Sequence, residues 1–224
     1  MGRDHSPKER QRRQLERKLN RRASYDRILI VSEGSKTEPN YFKEIRSVFR
    51  LHSANVEVQP SALGTEPLQV VEYARELFEK GDSHKGVRSR VFEQVYAVFD
   101  RDDHRTYHSA LERARGLDGR LRNDLRQPVR FAAIPSRPSF EFWLLLHFED
   151  VHHLMHRDDV LRRLKRYLLD YEKGYGRAFA ETKARLQTAI DRANILKQRG
   201  DPADDEEPYT GVVELVDLLI NLKH

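Results

Sequence analysis

The sequence predicts an α/β fold: a mainly parallel sheet flanked by helices, with a mostly helical C-terminal part. Three observations lead there. Apolar runs at 28–31 and 95–99 are rich in β-branched and aromatic residues and read as buried strands. Up to about residue 150, strand patterns alternate with helical ones, which argues for parallel pairing with helices on both faces. Beyond about 150 only helical patterns continue.

Taken in order, residues 1–23 offer only Leu15 and Leu19 as sizeable apolar side chains, so they read as a basic flexible arm. Residues 1–22 carry nine Lys and Arg against three acids, a charge of +6, while the whole chain is +5. The basic balance therefore belongs to the arm, a plausible phosphate contact. The domain opens near Ser24. A strand at 27–32 leads through Glu33-Gly34-Ser35 into a helix from about 39 to 50, where Pro39 suits the first turn. Val56-Glu57-Val58 alternates as a short strand. Residues 66–80 place Leu68, Val71, Ala74, Leu77 and Phe78 on one helical face, and Gly81 and Gly86 mark the following loop.

A strand at 94–99 comes next. A helix from about 105 to 125 follows, with Tyr107, Ala110, Leu111, Ala114, Leu117, Leu121 and Leu125 at helical spacing. Residues 129–134 form the fourth strand. A tight connection at 135–139 ends in Ser139, a candidate N-cap for a helix at 140–148. The segments 158–171, 177–199 and 209–222 read as helices, separated before the last by the acidic loop 201–208. The predicted organisation is an arm at 1–23, a core at 24–150 and a helical extension of the same domain at 151–224.

Composition removes several function classes. The chain has no cysteine, which excludes disulfides and thiolate-bound zinc. No apolar stretch approaches membrane-span length and no secretory leader pattern is visible, so a soluble cytoplasmic protein is expected. Charged residues reach 34% against 38% hydrophobic, but the apolar residues are clustered, unlike those of a disordered chain.

The chemistry is written where the apolar runs stop. Both of the first two runs end in carboxylates, Glu33 and Asp100-Arg101-Asp102-Asp103. Buried strands do not keep unpaired charges, so these acids belong at strand ends facing a cleft. In an extended segment Asp100 and Asp102 point the same way, while Asp103 points elsewhere unless the chain turns. Converging with Glu33, they would offer an oxygen-only site for one or two Mg²⁺ or Mn²⁺ ions. The alternative is a loop with helix-capping aspartates. Glu141 stands in an otherwise apolar helix and is expensive there unless paired or metal-bound; Glu38 and Glu141 alternatively read as first-turn helix acids. Lys36, Arg101, His104, Ser136 and Ser139 are the candidate phosphate contacts. Gly34-Ser35-Lys36-Thr37 lacks the glycines of a P-loop. The histidines 147, 152, 153 and 156 form no zinc pattern, and capping accounts for His156-Arg157-Asp158-Asp159.

The strand-Glu-Gly and strand-Asp-x-Asp pair resembles the Toprim domain of topoisomerases, bacterial primases and a group of nucleases. The resemblance implies a Toprim-like (Rossmann-like) sheet, with Glu33 as general acid or base and Asp100 and Asp102 on Mg²⁺. Residues 28–42, 98–104 and 136–148, with Ala193-Asn194 and Tyr209-Thr210, are similar to the RloB-like family. The family's third motif more often reads Ser-Asn-Pro; here Arg137 stands in place of the asparagine. This resemblance implies a metal-dependent nuclease cleaving DNA or RNA, of anti-phage and restriction-associated loci, often beside an ABC-type ATPase. It also implies a site role for Glu38, where related nucleases carry a second acid; Asp103 and Glu141, from their positions in the sequence, complete the candidate metal ligands with Glu33, Glu38, Asp100 and Asp102. A non-catalytic subunit of an ATPase complex and a primase-like nucleotidyl transferase remain the alternatives.

Overall fold

The computed structural model describes residues 25–172 and 174–222, so the arm read at 1–23 lies outside the described residues. Four parallel strands form the body of the sheet: β1 (Ile28–Ser32), β2 (Val56–Pro60), β3 (Gln94–Asp100) and β4 (Arg130–Arg137). A fifth strand, β5 (Tyr209–Thr210), adds antiparallel to β4, pairing Thr210 with Ser136 and Tyr209 with Arg137. The order across the sheet is β2-β1-β3-β4-β5.

Helices cover both faces, which is why β1 is apolar at successive positions rather than alternating. On one face, Ile28, Ile30, Val58, Tyr96, Val98 and Ile134 share a core with α1 (Thr37–Val48), α4 (Phe140–Leu145) and helices of the C-terminal part. On the other, Leu29, Val31, Val95, Ala97, Phe99 and Phe131 pack with α2 (Pro67–Lys80) and α3 (Tyr107–Leu117). The C-terminal part comprises α5 (Arg157–Leu164), α6 (Ala178–Thr182), α7 (Leu186–Arg199) and α8 (Val212–Asn221). Residues 134–222 thereby contribute to the same core as β1 and α1.

Several boundaries differ from the sequence reading. The helix expected to reach 125 stops at Leu117, and Gly119 takes a φ of 67°. Leu121 still packs against the core, but Leu125 is 66% exposed, so the apolar spacing outran the helix. The 158–171 helix ends at Leu164, and the 177–199 helix is broken by a 3-10 turn at Lys183–Arg185. The segment expected to be helical from 209 begins with β5 instead, because Tyr209 and Thr210 pair with β4.

This order positions a site. From β1 the chain crosses to β2 on one side and later returns to β3 on the other. Beyond the carboxyl ends of β1 and β3, where the winding reverses, an open parallel sheet forms its ligand crevice.

Candidate metal centre

A cleft of about 740 Å³ opens at that crevice, and Glu33, Glu38, Asp100, Asp102, His104 and Glu141 all line it. Glu33 follows β1, its N–H donating to the Val98 carbonyl, and its Oε2 accepts from the Asp100 N–H at 3.0 Å. Across the cleft His104 Nε2 stands 3.3 Å from Glu33 Oε1, and His104 Nδ1 stands 3.2 Å from Glu66 Oε1. Glu66 is fixed by the Thr106 hydroxyl, which donates to its Oε2 at 2.7 Å.

Glu38 is buried in the first turn of α1 and accepts from the Gly34 N–H at 3.2 Å. Glycine at 34 has a steric cause, since a Cβ there would lie 2.0 Å from Glu38 Oε2. Glu141, in the first turn of α4, is gripped by the Ser139 hydroxyl at 2.7 Å and the Tyr171 hydroxyl at 3.1 Å. Asp102 sits beyond the end of β3 at a φ of 33°, so a left-handed turn rather than an extended segment brings it to the cleft. Its Oδ2 pairs with Arg157, and its Oδ1 is buried with no hydrogen-bond partner among the described residues.

So many carboxylates in one cleft repel one another. Burial drives the Asp100 carboxyl well above its usual range, reinforced by Glu38, Glu33, Glu141 and Asp102. Burial, helped by Glu141 and Glu33, pushes Glu38 up to about 7. Burial also raises Glu33, opposed by the Asp100 N–H and by His104. A divalent cation is the natural counter-charge for such a group. Ligand atoms of Glu33, Asp102 and His104 lie within 4.8 Å of one another, close enough to hold one ion. Asp102 Oδ1, unpaired among the described residues, and this set of two carboxylates and an imidazole, in place of the oxygen-only set expected from the sequence, fit a divalent transition-metal ion such as Mn²⁺.

The structure brings together five of the six acids read from the sequence. Asp103 is the exception: it is exposed and lines a neighbouring cavity. Among the candidate phosphate contacts, Lys36 lines the cleft at the start of α1 and is exposed. His104 lines it as a partner of Glu33. Arg101 turns away, donating from Nη1 to the Asp102 and His104 carbonyls and pairing with Asp205. Ser136 is fully buried, its hydroxyl 3.4 Å from that of Thr210. Ser139 stands at the N-cap position, but its hydroxyl is spent on Glu141 rather than on capping.

Sequence reasoning passed over Glu66, Arg157 and Tyr171. Arg157 lines the cleft, while Glu66 acts on it through His104 and Tyr171 through Glu141, each from a distant segment. His156 does receive the Asp158 N–H as capping requires, yet the next residue, Arg157, crosses to Asp102.

A family model described as RloB-like protein matches residues 28–219. No curated protein and no solved structure matches the chain.

Proposed function

The chain belongs to the RloB-like protein family, and from that premise we propose that it is a Mg²⁺- or Mn²⁺-dependent nuclease with a Toprim-like core. The observation that carries the proposal is the convergence of Glu33, Glu38, Asp100, Asp102 and Glu141 at the switch point of the sheet, with His104 beside them. Glu33, Asp102 and His104 would hold an ion, and Asp100, Glu38 and Glu141 would hold a second ion or order water around the first. When bound, the metal supplies Lewis-acid stabilisation of phosphate charge.

The chain's own groups do the rest. Glu33, 3.3 Å from the His104 ring, is the proposed general acid or base, with the imidazole beside it to pass the proton on. Ser139 and Tyr171 hold Glu141 in a fixed orientation. Arg157 and exposed Lys36 at the cleft wall attract the phosphate backbone of DNA or RNA. The basic arm would add sequence-independent affinity, and an ABC-type ATPase is the proposed partner in cytoplasmic anti-phage defence.

The test is direct. With Mn²⁺, purified protein is expected to nick plasmid DNA or cleave RNA, and Glu33→Ala and Asp100→Ala are each expected to abolish this. Equal cleavage by wild type and both variants overturns the assignment. Incorporation of labelled nucleotide without cleavage would redirect it to a nucleotidyl transferase.

A further inference from the structure

A second cavity, of about 430 Å³, lies directly beside the acid cleft, and the two share Asp102 and Arg157 in their walls. Its volume falls within the range of small-molecule sites. Arg137 at the end of β4 forms part of it. The Arg137 side chain is only 3% exposed, and among the described residues its Nε and Nη1 have no hydrogen-bond partner. Its Nη2 donates to the Asp201 carbonyl at 3.2 Å, and Nη1 stands 4.0 Å from Asp205 Oδ1. At that distance Asp205 shares charge with Arg137 but makes no hydrogen bond to it, because its carboxylate is turned to other donors. Arg101 holds that carboxylate through two bonds, at 2.8 and 3.2 Å, and His108 adds a third contact at 3.0 Å. A buried guanidinium with two open donors is unfavourable alone and matches an oxyanion that brings its own acceptors. Pro138, Leu154 and Met155 supply the apolar part of the lining, with Leu154 41% exposed.

We propose that this cavity is a nucleotide subsite, which seats a nucleotide of the strand adjoining the bond held at the acid cleft. Arg137 receives the phosphate and the Leu154–Met155 wall receives the base. The proposal rests on the nuclease reading and deepens it. Guanidinium and phosphate match in geometry as well as charge, and an apolar wall accepts the face of any base without reading its sequence.

The probe is adenosine 5′-monophosphate, titrated calorimetrically into the full chain without metal, with inorganic phosphate and Mn²⁺ titrated separately. Wild type is expected to bind the nucleotide at least about tenfold more tightly than phosphate. Leu154→Glu, at an exposed position, and Arg137→Met are each expected to weaken nucleotide binding about tenfold or more while leaving the Mn²⁺ isotherm unchanged. Nucleotide binding that is absent, no tighter than phosphate, or unaltered in a folded Leu154→Glu protein overturns the subsite. If Mn²⁺ binds normally in that case, the metal-centre reading survives. If the nucleotide binds as expected and Mn²⁺ does not bind, the metal reading falls and the subsite stands.

Discussion

Asp100 is held where four other carboxylates oppose its charge. Relieving that opposition has a measurable consequence. Asp100→Asn is expected to raise metal-free stability by about 1 kcal/mol, as substitutions at strained functional sites do, while reducing the thermal shift that Mn²⁺ produces. A variant no more stable than wild type would show that the repulsion is already relaxed. His147 gives the opposite case, a base kept neutral. Its Nδ1 lies 3.1 Å from the Trp143 carbonyl, its Nε2 is buried without a partner among the described residues, and burial lowers its pKa from 6.5 to about 4. As pH falls, the unfolded chain therefore takes the proton first. The contribution is whole above pH 6.5 and is lost progressively toward about 4, a difference of about 3 kcal/mol. Urea unfolding at about pH 7.5 and 4.5 should show His147→Leu losing less stability on acidification than wild type; equal losses would contradict this. At this scale the acids were legible because a carboxylate closing an apolar run is anomalous in itself. Arg157 was not, since its partner Asp102 is 55 residues away and nothing near either residue marks the pair.

The β1–α1 turn and the α1–α4 contact are features of elements rather than of single groups. Gly34→Ala places a methyl 2.0 Å from Oε2 of the buried Glu38 carboxylate, which must shift, so the substitution should cost about 1–3 kcal/mol. Mn²⁺ affinity should fall about tenfold as Glu38 is displaced, and calorimetry on the folded variant checks this. Tyr41 on α1 and Trp143 on α4 join through a hydrogen bond of 2.8 Å, and the Tyr41 ring meets Phe140 and Phe179 edge-on at 5.4 and 5.5 Å. Tyr41→Phe keeps the ring and strands the indole N–H, which should cost about 1–3 kcal/mol in chemical denaturation. Long periodic elements such as α2 were readable within a residue or two. The two-residue β5 carries no periodicity at all, and α3 ended before its apolar spacing did because a helical repeat does not report where the chain turns away.

At the scale of the whole molecule, alternation along the chain gave the parallel sheet and its two covered faces. It could not give the neighbour order β2-β1-β3, and that order is what sets Glu33 beside Asp100. Since the cleft is assembled only when both crossovers are complete, Mn²⁺ should bind the native state alone and raise its stability by about 2.7 kcal/mol at a hundredfold excess over Kd. Asp102→Asn should remove most of that increment; a full increment would place the ion elsewhere. The shared wall between the two cavities carries a further consequence. Arg157 is tied to Asp102 Oδ2, and both residues face both cavities. A cation that draws the Asp102 carboxylate to itself loosens its hold on Arg157 and frees that guanidinium for an anion next door. The two ligands would then bind with positive cooperativity, and by thermodynamic reciprocity each would tighten the other by the same factor.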